Sequence, residues 1–151
     1  MKKIICLFIF LALLVGCLKS EKETEKETSG EFEVLSIFFS ETEDYSTVLL
    51  NMKVKWVGKE KGAPRCDIYF PPQEGLEMGI GPIENGPSIV EPLYQEGSEV
   101  KTAILKEFIA RSFYPSYVAP EFGKSYFAQI KFYWPSLNET HEWEGNVGWS
   151  E

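Results

Sequence analysis

Cysteine is scarce in this chain, with three in 151 residues, at positions 6, 17 and 66. Histidine is scarcer still: His141 stands alone. Each shortage excludes something. A body with one thiol, Cys66, forms no internal disulfide, so a small exported domain of this kind must be held by its core. One histidine leaves few ways to assemble a tuned acid–base pair. No phosphate-cradling loop, dinucleotide fingerprint or nucleophile elbow occurs, and no cofactor is implied. Basic residues are outnumbered 15 to 23, for a formal charge of −8. Such a chain repels phosphate backbones, which argues against nucleic acid, and anionic headgroups repel it too.

What is present begins with the first thirty residues. Lys2 and Lys3 precede an unbroken apolar stretch from Ile4 to Val15, followed by Gly16 and Cys17. The uncharged run ends at Leu18, and as a helix it would reach about 22 Å, short of the ~30 Å hydrocarbon core of a bilayer. That length fits the apolar region of a signal peptide spanning 1–16. Residues 18–30 are Glu, Lys, Thr, Ser and Gly after Leu18, too polar to offset chain entropy by burial. They predict a solvated tether of up to about 45 Å between Cys17 and a domain spanning 31–151.

Leu14-Val15-Gly16-Cys17 resembles the lipobox of prokaryotic lipoproteins. The resemblance implies cleavage between Gly16 and Cys17 and a thioether-linked lipid on Cys17. It implies an extracytoplasmic protein anchored to a cell membrane through lipid, which would hold an acidic domain at a surface that otherwise repels it.

From residue 31 the apolar pattern has period two, so the fold expected is all-β. Val48, Leu50, Met52, Val54 and Trp56 share one face; Cys66, Ile68 and Phe70 share another until Pro71-Pro72 stops the run. Tyr126, Ala128, Ile130, Phe132 and Trp134 form the clearest inward set, and His141, Trp143, Val147 and Trp149 follow on a hairpin partner. Between Phe32 and Phe39 the apolar parity switches, which predicts a bulge or a hop between sheets. Gly75–Pro92 reads as loops with at most one edge strand. The segment 98–111 fits a strand better than a helix, with one short helix as the alternative. Six or seven strands in this length predict a two-sheet antiparallel β-sandwich.

Pro120–Tyr126, leading into the strand from Tyr126, resembles the corner of immunoglobulin/fibronectin-III-like modules. There a Tyr opening the penultimate strand hydrogen-bonds back to the preceding loop, and Tyr126 is the matching residue. The Pro-to-Tyr spacing is longer than in the fibronectin pattern, and the immunoglobulin cysteine pair is absent. Such sandwiches serve adhesion, carbohydrate binding and spacing alike, so fold carries no function here.

Few residues offer chemistry. Cys66 and His141 both have inward parity, where a cysteine is ordinarily a small buried apolar group, so a catalytic dyad is not expected. Glu142 and Glu144 share a face that His141 does not, so no metal site is expected there. Aromatic residues are the better candidates. Trp134, Trp143 and Trp149 have core parity, whereas Tyr114, Tyr117 and Tyr133 are free to form an exposed surface that stacks on sugar rings or a protein partner. Asn138-Glu139-Thr140 is a glycosylation sequon in an expected hairpin loop, with Asn138 as the acceptor. The function expected is a non-enzymatic, membrane-tethered module that binds or assembles with a protein or glycan. The alternative is an accessory or spacer subunit of an envelope transporter or enzyme complex.

Overall fold

The structure, a computed structural model, describes residues 32–43, 47–77, 79–109 and 119–150. The expected signal segment, Cys17, the tether, Tyr114 and Tyr117 lie outside the described residues. The described residues form eight strands: β1 (Phe32–Glu41), β2 (Val48–Val57), β3 (Arg65–Phe70), β4 (Ile80–Gly86), β5 (Ile89–Pro92), β6 (Val100–Ile109), β7 (Tyr126–Trp134) and β8 (Glu139–Trp149). A single 3-10 turn, Pro135–Leu137, joins the last two. The fold is all-β, as the period-two pattern required.

The strands form one hydrogen-bonded sheet in the order β4-β3-β7-β8-β1-β2-β6-β5. Pairing is antiparallel except between β1 and β8, which run parallel at Phe38↔Gly148 and Phe39↔Trp149. The expected wholly antiparallel pairing is therefore corrected to a mixed sheet. The cause is the irregularity in β1, where the register with β2 shifts between Val34 and Ser36. The extra residue, Leu35, turns the second half of β1 so that it bonds β2 on one side and β8 on the other.

The sheet curls. Its two edge strands, β4 and β5, are joined by Pro87 and Ser88 alone, so opposite edges lie within a few residues' reach. Rings from strands that are not neighbours also meet. Phe39 of β1 lies 5.7 Å from Phe70 of β3, Phe32 lies 5.0 Å from Phe132, and Trp56 of β2 lies 6.3 Å from Trp134 of β7. Phe39, Phe70, Trp56, Trp134 and Phe132 belong to one buried core with Leu50, Met52, Ile68, Leu105 and Ile130, and the half-buried Phe32 packs against it. Full burial of each such side chain contributes about 1.5–3 kcal/mol. Trp134 is in this core, while Trp143 and Trp149 are half-buried at its margin.

In the middle of the chain the strand expected for 98–111 is present and the reading of Gly75–Pro92 changes. The short helix considered for 98–111 is replaced by β6, paired with β2 from Val48↔Ile109 to Val57↔Val100. A helical stripe would have put Ile104 and Phe108 together with Leu105 and Ile109; the strand separates them onto opposite faces. The inward set is Lys101, Ala103, Leu105, Glu107 and Ile109, while Val100 and Phe108 are exposed. The Gly- and Pro-rich stretch before it holds two edge strands rather than one. Proline and bulges are tolerated at an edge, and β4 carries both: Pro82 and register shifts on either side of Ile68↔Ile83.

The first turn of β7 shows how a broken ladder is repaired. Pro71-Pro72 ends β3, so its pairing with β7 stops at Tyr69↔Gln129. Phe127, next along β7, would have no backbone partner on that side. The Gln73 side chain supplies both halves: its amide nitrogen donates to Phe127 O at 2.9 Å, and its Oε1 accepts from Phe127 N–H. Tyr126, fully buried, accepts at its hydroxyl from the Glu121 N–H at 2.9 Å, the local bond that the corner resemblance implies. Gln73→Ala leaves both Phe127 groups unsatisfied and is expected to cost about 1–3 kcal/mol. Urea unfolding of the variant against the parent measures it; an unchanged midpoint would show that Gln73 does not complete the ladder.

Candidate functional site

Outward-facing residues of β3, β7 and β8 fall into rows because the three registers are continuous. Arg65 is opposite Tyr133, which is opposite Thr140; Asp67 is opposite Lys131, which is opposite Glu142; Tyr69 is opposite Gln129, which is opposite Glu144. Between these side chains lie two adjoining hollows that share Asp67 and Lys131. The larger, about 570 Å³, is bordered by Tyr69, Pro82, Gln129, Glu142 and Glu144. The smaller, about 140 Å³, is bordered by Tyr133, Pro135, Asn138, Glu139 and Thr140. Together they form one groove along the strands.

Its polar groups divide into committed and uncommitted sets. Asp67 is committed: its Oδ1 accepts from the Asn85 N–H at 2.9 Å and from the Tyr133 hydroxyl at 3.1 Å. That arrangement fixes the Tyr133 ring at the groove wall, half-buried. Partial burial and the bond to the Asp67 carboxylate raise the phenol above its ordinary value, so it remains a neutral donor. Lys131 sits in register between Asp67 and Glu142, yet its ammonium pairs with neither. Among the described residues, the side chains of Tyr69, Gln129, Lys131, Glu142 and Glu144 have no hydrogen-bond or ion-pair partner. The groove thus presents one cation, two carboxylates, an amide and a phenol, all open to a ligand.

Of the residues singled out in the sequence, Tyr133 and Asn138 come together in the smaller hollow. Asn138 is exposed and left-handed, with φ of 50°, at the end of the 3-10 turn, and Thr140 beside it is also exposed. Tyr114 and Tyr117 lie outside the described residues, so the expected three-tyrosine surface is represented by Tyr133 alone. Asp67, Tyr69, Gln129 and Lys131 were not candidates. Their only signal is outward parity on two strands, which becomes a site once β3 and β7 are known to be neighbours.

The residues considered for chemistry are apart and occupied. Cys66 is opposite Phe132, which is opposite His141, so two interstrand spacings, roughly 10 Å, separate thiol and imidazole. Burial, reinforced by Glu107 and Asp67, pushes the Cys66 thiol up to about 12. His141 stacks on Phe32, centroids 4.8 Å apart, and its Nε2 bonds Glu139 Oε1 at 2.8 Å. Lys61 meets the other oxygen of Glu139 at 2.7 Å. Glu142 and Glu144 face the groove, whereas His141 faces Phe32, so the three do not converge on a metal.

The hydrogen bond from His141, with Lys61 beyond it, holds Glu139 below the usual carboxylate range. A carboxylate stabilised in this way contributes fully above its unfolded value, and the contribution is lost as pH falls through the folded one. Glu139→Gln is therefore expected to flatten the loss of stability from about pH 5 downward. Denaturation midpoints across that range test it; parallel acid limbs in parent and variant would remove Glu139 from the account. The Cys66 thiol should in turn resist iodoacetamide in the folded protein at pH 8 and react only as the chain unfolds. Labelling faster than global unfolding would contradict its burial.

Comparison of this chain with family models, with curated proteins and with solved structures finds no match.

Proposed function

We propose that this chain is a lipid-anchored extracytoplasmic protein whose β domain is a non-catalytic binding or assembly module for a protein or glycan. The observation that carries the proposal is the groove of uncommitted polar groups on β3, β7 and β8. Opposite charges facing each other across strands can pair favourably; here Lys131 stands between two carboxylates and bonds neither. Nucleophilic chemistry has little to work with, since the Cys66 thiol holds its proton and His141 is spent on Glu139 and Phe32.

The domain is best read as an immunoglobulin-like sandwich. Among the described residues, two quartets, β5-β6-β2-β1 and β4-β3-β7-β8, are joined in strand pairing by the two-residue parallel contact of β1 with β8. Their inner rings face each other across the core, and the Tyr126 hydroxyl bonds the preceding loop as in the corner of that family. Address rests on the lipobox-like Leu14–Cys17, which supplies the membrane attachment that a charge of −8 would not.

Mass spectrometry of the protein from its own cells is expected to find a chain beginning at Cys17 with lipid on its sulfur. Cys17→Ala should move the protein from the membrane to the soluble fraction. An unmodified Cys17 on an uncut chain would end the lipoprotein reading. Cross-linking of the anchored protein in cells, with groove variants alongside, tests the binding role: captured partners should be lost when Lys131 and Glu142 are both changed to Ala.

A further inference from the structure

We propose that the groove across β3, β7 and β8 takes an uncharged oligosaccharide; this rests on the reading of that face as the ligand surface. The groove lies on the face of the sheet, not at an edge. The backbone N–H and C=O groups of β7 are spent on β3 and β8. A peptide recognised by strand addition needs free backbone groups, and this surface offers none. Recognition here must come from side-chain heads and rings.

Those heads form a mixed set. Lys131 only donates, Glu142 and Glu144 only accept, and Gln129 does both. A ligand that satisfies all of them must carry closely spaced groups that each donate and accept, which describes the hydroxyls of a sugar. Charge narrows the class. Asp67, Glu142 and Glu144 against Lys131 leave the larger hollow net negative, so a ligand bearing carboxylate, sulfate or phosphate is repelled. Aromatic surface stands at both ends of the groove. Tyr69 is 37% exposed at one end and Tyr133 lines the other. The rows of Tyr69 and Tyr133 are four residues apart along β7, or about 14 Å. That separation exceeds one sugar ring and matches a short chain of them, its apolar ring faces against the two phenols.

The test uses the purified full chain in calorimetric titrations with neutral trisaccharides: maltotriose, cellotriose, mannotriose and the N-acetylglucosamine trimer. Trigalacturonate and a lysine-rich peptide serve as charged probes. At least one neutral trisaccharide should bind. Tyr69→Ala and Gln129→Ala, both on the exposed face, should each weaken that binding about tenfold or more. Phe122→Ala, in the loop before β7 and outside the lining of both hollows, should leave it unchanged. Trigalacturonate should bind at least about tenfold more weakly than the best neutral sugar. The proposal is overturned if no neutral trisaccharide binds up to about 10 mM, or if the binding ignores Tyr69 and Gln129. Binding of the lysine-rich peptide that is lost in Glu142→Gln and Glu144→Gln, with no sugar binding, would retire the oligosaccharide but keep the groove as ligand surface. Failure of every probe, with cellular cross-links mapping to another face, would remove the groove reading itself.

Discussion

The curl of the sheet depends on β1, the strand that bonds both halves of the molecule. Before the irregularity at Leu35, Phe32 points inward against Phe132, Trp134 and His141. After it, Phe39 points inward against Phe70, Tyr126 and Trp149. Without the extra residue, a strict alternation from Phe32 would have sent Phe39 to the outer face. Both ends of the core would then not be filled from one strand. With it, β1 keeps its ladder to β2 and gains the parallel contact to β8, and the far edges come together at Pro87-Ser88.

That far closure is held by a polar contact inside an apolar core. Glu107 of β6 is buried and accepts from the Ser88 hydroxyl and from the Phe108 N–H. A Cβ on Gly86 would lie 2.7 Å from the Glu107 carboxylate and 3.2 Å from the Cys66 sulfur, so any larger residue there would displace the Glu107 carboxylate. Lys101, six residues back on the same face of β6, is buried as well. Its ammonium donates to the carbonyls of Gly58 and Lys59 and lies over the Tyr94 ring. Each buried charge is satisfied, which is the condition for keeping it there. The inner face has thus absorbed its charges into hydrogen bonds, while Lys131, Glu142 and Glu144 on the outer face of β7 and β8 are left open.

How much of this the sequence reveals follows from what sets each feature. Alternation in β2, β3 and β7 is decided locally, by one buried face, and it is read directly. So is the parity change in β1, since Phe32, Val34, Ile37 and Phe39 cannot share a face without an extra residue. The inward face of β6 is not legible. Its inward positions include Lys101 and Glu107, whose partners come from segments 43 and 19 residues away. Hydropathy places both charges outside. β4 is hidden for a different reason: at an edge, Gly81, Pro82 and bulges are permitted, so its composition mimics a loop. Gln73 is hidden too, because its role exists only where Pro71 leaves Phe127 unpaired. The groove is the least legible feature. Asp67, Lys131 and Glu142 are 64 and 11 residues apart and unremarkable singly; a site arises only when the registers of β3, β7 and β8 put them in one row.

Position along the strands ties the groove to the proposed anchor. β1 starts at Phe32, beside Trp56, Trp134 and His141, where the turn after β2 and the 3-10 turn before β8 also lie. A lipid on Cys17 would therefore pull on that end of the sheet. Strands leaving it run toward Glu41 and Trp149, and the groove lies parallel to them. The smaller hollow, with Tyr133 and Asn138, is nearer the anchored end, and the larger one with Tyr69 is farther out. A glycan on Asn138 would crowd that nearer end and leave Tyr69, Gln129 and Glu144 open.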